Sequence, residues 1–194
     1  MKVRAITLAC LLLLTACTGD GDEPGYEPRH LESLVLAEPP DGLARDPDAA
    51  ELDLSAVAAG DDDRRVRFEE AGFLAGYEAT FEPATPDARY QGFIMTSRAY
   101  LFSDPAAGLS ALRATFATEG SQLVSRPALF PDRPGFTVRG FLDDALPPGV
   151  AIAWRKRNVV LLLAVVAVAT VSETEMRAIA RQIDTLEPPT GPGG

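Results

Sequence analysis

The chain has 194 residues, 46% of them hydrophobic and 24% charged, and its formal net charge is −10 at pH 7. This hydrophobic fraction is typical of a globular protein, and the length suffices for one domain with a sizeable core. The acidic balance disfavours nucleic-acid binding, because phosphates repel a negatively charged surface.

The first residues have the pattern of an export signal. Lys2 and Arg4 precede the apolar residues 5–14, a run too short to span a bilayer as a helix. The sequence Leu14-Thr15-Ala16-Cys17 then resembles the lipobox of bacterial lipoproteins. We expect residues 1–16 to be a lipoprotein signal peptide and Cys17 to be the lipidated first residue. The alternative is an ordinary secretory leader with an incidental cysteine.

Cleavage before Cys17 would leave 16 basic and 28 acidic residues, a net charge of −12. The other cysteine, Cys10, would be lost with the leader, so no disulfide can form within the mature chain and the core must provide the stability. Two or three acyl chains, for example palmitoyl chains, anchor a protein durably to a membrane, whereas a single chain gives only marginal membrane binding. We expect a protein anchored by its lipid on the extracytoplasmic face of the cell membrane.

The two ends of the mature chain are poor in large apolar residues. Residues 17–30 are rich in Gly, Asp, Glu and Pro, and we interpret them as the lipidated cysteine and a disordered tether. Residues 187–194 hold three prolines and three glycines and are interpreted as a disordered tail. A single domain over residues 31–186 remains.

The sequence of the first half of this domain predicts both strands and helices. The apolar residues 31–37 predict an edge strand ending before the turn at Pro40-Asp41-Gly42. Residues 41–60 are interpreted as irregular, with one helical turn starting at Asp53. Asp63 is the predicted cap of a helix through Glu70, which Gly72 ends. A strand follows, because Phe73, Ala75, Tyr77, Ala79 and Phe81 alternate and should share one face.

The second half predicts two hairpins and two helices. Residues 90–102 should pair with the preceding strand, and residues 150–154 with 159–168. Ser103 or Asp104 caps a helix that Gly120 ends, with Pro105 in its first turn. A strand is expected over residues 136–142, whereas residues 121–129 are ambiguous. Ser172 and Glu175 form a capping box for the last helix.

Strands arranged in hairpins favour an α+β fold, because parallel strands would need a crossover helix after nearly every strand. We predict a mainly antiparallel sheet with helices packed on it.

The side chains offer few of the sets that catalysis requires. The one histidine, His30, lies at the end of the tether, where we interpret it as solvated, with metal or pH-sensing roles as alternatives. Lys156 is the one lysine after the leader and sits at a predicted hairpin tip. A pair of carboxylates therefore remains as the available hydrolytic chemistry, although no spacing indicates one.

Acidic and glycine-rich segments are the other possible binding motifs. Residues 61–63, three consecutive aspartates, lack the spacing of a calcium loop and suit a helix start. A somewhat better candidate for a calcium site is the group of carboxylates Asp46, Asp48, Glu51 and Asp53. These residues also suit an ordinary polar loop. Gly72 and Gly76 lack the pattern of a nucleotide loop and are interpreted as structural. We expect neither a metal nor a cofactor.

One segment departs from the acidic character of the chain, namely Trp154-Arg155-Lys156-Arg157. Tryptophan and arginine are enriched in binding hot spots, and cations could meet an acidic partner or lipid headgroups. These four residues are the candidate partner contact. The alternative is a solubilising turn with Trp154 in the core.

The order of several short motifs resembles uncharacterised lipoproteins and secreted proteins of high-GC Gram-positive and related bacteria. These motifs are Leu31-Glu32-Ser33-Leu34-Val35-Leu36, Pro40-Asp41-Gly42, Ala71-Gly72-Phe73, Gly76-Tyr77, Leu101-Phe102-Ser103, Ala153-Trp154-Arg155 and Asn158-Val159-Val160. Arg157 departs from the pattern, which would have a glycine before Asn158. A more distant similarity is to the PsbP/Mog1-like α/β/α sandwich, which implies a binding or accessory scaffold.

Taken with the lipobox, these features predict a non-enzymatic binding or accessory lipoprotein. Its partner would be an envelope protein or a small apolar ligand held between sheet and helices. A carboxylate-dependent hydrolase and a transporter- or sensor-associated lipoprotein are the alternatives.

Overall fold

A computed structural model describes residues 25–48, 50–85, 93–117, 121–125, 130, 132–140, 142, 148–166 and 172–189. These residues form one antiparallel sheet of eight strands, with helices packed on it, which confirms the predicted α+β class. The strands are β1 (Leu43–Arg45), β2 (Ala50–Leu52), β3 (Phe73–Pro83), β4 (Ile94–Phe102), β5 (Gln122–Ser125), β6 (Gly135–Gly140), β7 (Gly149–Lys156) and β8 (Val159–Val166).

The strand order is β1-β3-β4-β8-β7-β6-β5, and β2 pairs with the same edge of β3 as β1 does. The two predicted hairpins, β3–β4 and β7–β8, are both present, and β4 and β8 join them at the centre of the sheet. β8 reads Val-Val-Leu-Leu-Leu-Ala-Val-Val and is buried on both faces. A continuous apolar run of this kind is typical of a strand covered on both sides.

The helices begin at residues that can cap them. They are a 3-10 helix (Pro28–Leu34), α1 (Leu54–Ala58), α2 (Asp62–Glu70), α3 (Pro105–Thr115) and α4 (Glu173–Thr185). Asp53 caps α1, and Asp104 caps α3 with Pro105 following, as predicted. Ser172 and Glu175 form the predicted capping box of α4. The cap of α2 is Asp61 and not Asp63, so the helix starts two residues earlier than predicted.

Helices cover both faces of the sheet, and each face has its own hydrophobic core. On the α4 face, Met176, Ala180 and Ile183 of α4 and Leu31 and Leu34 of the 3-10 helix pack against the sheet. On the opposite face, which we call the three-helix face, side chains of α1, α2 and α3 pack against it. No helix in the described part of the chain combines the length and apolar character needed to cross a bilayer.

The predicted edge strand over residues 31–37 is wrong. The 3-10 helix includes residues up to Leu34, Val35 is extended, and neither Val35 nor Leu36 pairs as a strand. The amide of Leu36 instead donates to Ser97 Oγ at 3.1 Å, a buried hydroxyl in β4. The apolar side chains therefore cover the sheet from above and do not extend it.

The predicted alternation along β3 is correct except at its first residue. Ala75, Tyr77, Ala79 and Phe81 belong to the core of the α4 face, whereas Phe73 packs on the three-helix face. The register shifts between Phe73 and Ala75, and a β-bulge of this kind moves the preceding side chain to the other face. Gly72 precedes the bulge with φ of 71°, a left-handed conformation that suits the glycine predicted to end α2.

Ordered structure extends beyond the predicted domain at both ends. Tyr26, assigned to the tether, is only 4% exposed, and its hydroxyl donates to Glu187, which was assigned to the tail. An aromatic ring can bury enough surface to order a segment otherwise rich in polar residues. The predicted leader, Cys17, residues 18–24 and residues 190–194 lie outside the described residues.

Candidate functional site

A cavity of about 420 Å³ lies between the sheet and the helices of the three-helix face. Its floor is formed by β3, β4 and β8, and its walls by α1, α2 and α3, with Leu52 and Leu142 at the sides. A volume of this size falls in the range of small-molecule sites.

The cavity exists because the floor carries small side chains at its centre. Thr80, Thr96 and Ala164 lie side by side on β3, β4 and β8, in register with one another. All three line the cavity and are partly exposed, so the helices leave this row uncovered. Larger side chains lie on both sides of this row. Ile94 and Val166 form the neighbouring row on one side, and Leu162 belongs to the neighbouring row on the other side. The floor of the cavity therefore has a depression at this row of small side chains, between rows of larger ones.

An ion pair stands beside this depression. Glu78 and Arg98 are direct cross-strand neighbours on β3 and β4, and Arg98 Nε donates to Glu78 Oε2. Their side chains are 22% and 35% exposed, respectively. On its other side Arg98 faces Leu162 of β8, an apolar neighbour. The guanidinium therefore lies at the boundary between a polar and an apolar part of the floor.

Tyr100 completes the polar group. Arg98 Nη1 donates to the Tyr100 hydroxyl at 3.3 Å, and the ring is 1% exposed. Burial raises the pKa of Tyr100, so its phenol is neutral at physiological pH. Desolvation alone would lower the pKa of Arg98, but its interactions with Tyr100 and Glu78 raise it above its ordinary value. Arg98 is therefore always a cation.

A second cation, Arg64, lines the cavity from α2. The positive charge of Arg64 acts to lower the pKa of Tyr100 against the larger effect of burial. Arg64 Nε is buried and has no hydrogen-bond partner in the described part of the chain, and Asp61 Oδ2 lies 3.9 Å from it. Asp61 therefore pairs with Arg64 by charge, at a distance longer than that of a hydrogen bond.

The rest of the lining is apolar. Phe68 of α2 packs edge-on against Tyr100 with ring centroids 6.0 Å apart, which holds the phenol in place. Val57, Leu112 and Phe116 add aliphatic and aromatic surface from α1 and α3. The cavity thus presents a mainly apolar wall and a few convergent polar groups, the usual character of a small-molecule site.

The predicted partner contact at residues 154–157 is wrong for two of its four members. Trp154 is fully buried in the core of the α4 face, where its Nε1 donates to Asp184 Oδ1 at 3.1 Å. Lys156 is 7% exposed, and its Nζ donates to the backbone oxygens of Asp184 and Leu186, each at 2.7 Å. The strand continues to Lys156, so strand alternation turns both side chains toward α4.

Arg157 lies in the two-residue turn after β7 with φ of 53°, the left-handed conformation for which a glycine would be expected. Its guanidinium lies 4.7 Å from the centroid of the Tyr26 ring. Arg155 is partly buried in β7 and takes part in further interactions. A partner contact by Arg155 and Arg157 stays a prediction.

Together with Asn158, these residues attach the N-terminal segment to the domain. The Tyr26 backbone amide donates to Asn158 Oδ1 at 2.7 Å, and Asn158 Nδ2 donates to the Tyr26 carbonyl at 2.9 Å. Glu187 accepts from Tyr26 and pairs with Lys156 at 2.9 Å. Desolvation would raise the pKa of Glu187, but hydrogen bonds from Lys156 and Tyr26 outweigh it and lower the pKa.

The other candidates have local structural roles. His30 lies in the 3-10 helix, where its Nδ1 accepts from the Glu27 amide at 3.1 Å, so it is not a freely solvated residue of a tether. Asp46 accepts from the Asp48 amide, and Asp53 caps α1. No three or more His, Cys, Asp or Glu side chains form a metal-binding group among the described residues. Cys17 lies outside them.

The pocket residues Glu78, Arg98, Tyr100 and Arg64 were not identified from the sequence. One feature of the sequence could have indicated Glu78 and Arg98 as site residues. Glu78 and Arg98 are opposite charges in the middle of two mainly apolar strands, and the predicted hairpin joins those strands. A charge within such a strand is unusual enough to suggest a pairing or a site.

No protein-family model matches the chain, and no curated protein shows significant sequence similarity to it.

Proposed function

We propose that this protein is a lipid-anchored, extracytoplasmic binding protein that holds a small, largely apolar ligand between its sheet and helices α1 to α3. The observation that carries the proposal is the cavity of about 420 Å³ above the row Thr80, Thr96 and Ala164. Its size, its apolar walls and its partial opening to solvent suit a ligand of modest size. The lipobox at Cys17 supports the location.

A binding role has more support than hydrolysis. Among the described residues that line the cavity, Glu78 is the single carboxylate, and Arg98 pairs with it. Glycosidase-type catalysis needs two carboxylates facing the same bond, one of which must hold a proton. An arginine in direct contact stabilises the charged form of a carboxylate and so opposes the role of general acid.

The first test fills the cavity. We expect Ala164→Phe to weaken the binding of an uncharged fluorescent apolar probe, N-phenyl-1-naphthylamine, by at least tenfold, because the new ring occupies the depression in the floor. The matched control is Ser110→Phe, which adds the same ring on an exposed position of α3. Probe fluorescence measures binding, and thermal unfolding verifies that both variants are folded. Equal binding by wild type and Ala164→Phe, or no binding by wild type, would contradict the proposal.

The second test concerns the anchor. We expect the wild-type protein to partition with membranes and Cys17→Ala to accumulate as an uncleaved precursor, because the processing enzyme requires the lipidated cysteine. Fractionation and the mass of the mature N-terminus measure both properties. Normal processing and secretion of Cys17→Ala would show that the leader is an ordinary secretory signal.

A further inference from the structure

We propose that the pocket binds an amphipathic monocarboxylate, with the carboxylate at Arg98 and an alkyl or aryl portion against the apolar walls. This inference rests on the proposed binding function and names the class of ligand. Three observations carry it: the unused hydrogen-bond donors of Arg98, the fork geometry of its guanidinium, and the apolar surface beside it.

Arg98 has N–H donors that no described residue uses. A guanidinium has five N–H groups, and Arg98 uses one for Glu78 and one for Tyr100. No other described residue accepts from Arg98, and the hydroxyl hydrogen of Tyr100 has no acceptor among the described residues either. Arg98 lines the cavity and its side chain is 35% exposed, so a ligand that supplies acceptor oxygens would reach its remaining donors.

The guanidinium of Arg98 selects the polar group of the ligand. The described residues that line the cavity include two cations, Arg98 and Arg64, and one anion, Glu78. Arg98 pairs with Glu78, and Arg64 pairs with Asp61 at 3.9 Å, so each cation already has one carboxylate beside it. A carboxylate is the favoured ligand group because its two oxygens match an arginine fork, and Arg98 has donors left to bind them. A dianionic phosphate would bring two negative charges close to Glu78 and is therefore disfavoured.

The apolar surface selects the remainder of the ligand. Leu162 lies directly beside Arg98 on the floor, and Val57, Phe68, Leu112 and Phe116 form the adjoining walls. A ligand bound at Arg98 would therefore place its carbon chain against these side chains. Each buried methylene should strengthen binding by about fourfold until the cavity is filled.

The test compares sodium hexanoate, octanoate and decanoate with the neutral alcohols of the same lengths. Affinities are measured by displacement of N-phenyl-1-naphthylamine and by calorimetry. Wild type should bind each carboxylate at least tenfold more tightly than its alcohol, with affinity rising along the series. The double variant R98M/E78Q removes the ion pair without leaving a lone buried charge, and it should lose the carboxylate preference while still binding the alcohols.

The matched control is E78Q, which keeps Arg98 and should bind carboxylates at least as tightly as wild type. Thermal unfolding establishes that the variants are folded. Equal affinity of wild type for acid and alcohol, or an unchanged preference in R98M/E78Q, would overturn this inference and leave the proposed function intact. If wild type bound neither the probe nor any member of the two series, the proposed function itself would be wrong.

Discussion

Replacing Ile183 with aspartate is expected to lower the free energy of unfolding by at least about 4 kcal/mol. Ile183 lies on α4, is 1% exposed and belongs to the core of the α4 face. The substitution removes a buried side chain worth about 2 kcal/mol and places a polar or charged group where it has no partner, at a comparable cost. Chemical denaturation monitored by circular dichroism measures the change.

The control for this variant is Gln182→Asp, which places the same side chain on the exposed neighbouring position of α4. Its effect should be about 0.5 kcal/mol, because a surface aspartate in the last turn meets only the unfavourable end of the helix dipole. If the two variants unfolded at the same denaturant concentration, Ile183 would not be buried against the sheet and the packing of α4 would be wrong.

The parts of the fold that follow from short-range chemistry could be predicted. Asp104 followed by Pro105 and Ser172 with Glu175 mark helix starts, because the capping side chain and the amide it binds are two or three residues apart. The two hairpins could also be predicted, since their strands are long and adjacent in sequence. The short strands β1 and β2 were missed because three residues carry too little pattern to reveal pairing with a distant strand.

Burial of charged residues depends on contacts that the local sequence does not show. Arg155, Lys156 and Arg157 look alike in sequence, and a charged tip is their simplest interpretation. In the fold, two carbonyls at the C-terminal end of α4, those of Asp184 and Leu186, accept from Lys156 at the end of β7. These carbonyls lie about 30 residues away in sequence, so no short-range pattern could distinguish Lys156 from its neighbours.

The candidate pocket is a product of register. Thr80, Thr96 and Ala164 are unremarkable in sequence, and they form a depression only because three strands align them in one row. The same alignment places Glu78 opposite Arg98. A shift of one residue in either pairing would turn these side chains to the other face, so the site could not be derived without the sheet.

Lys156→Met is expected to lower the free energy of unfolding by about 3 kcal/mol. Methionine retains an apolar stem of similar length but removes the ammonium group that donates to two backbone oxygens at 2.7 Å and pairs with Glu187. Charged hydrogen bonds of this kind contribute about 1.5–3 kcal/mol, and buried carbonyls left without a donor add a penalty. Denaturant unfolding at pH 7 measures the loss.

The control is Arg29→Met, because Arg29 pairs with Glu27 at 2.9 Å but is 64% exposed, so its loss should cost at most about 0.5 kcal/mol.

The stability lost in Lys156→Met should also depend on pH. The pKa of Glu187 is lowered from its ordinary value of 4.5, so its stabilising contribution is complete above that pH and is lost as the pH falls through the lowered pKa. The difference between wild type and Lys156→Met should therefore narrow in acid but persist, since the carbonyls do not titrate. A cost no larger than that of Arg29→Met at pH 7 would show that Lys156 is a solvated residue of a charged turn.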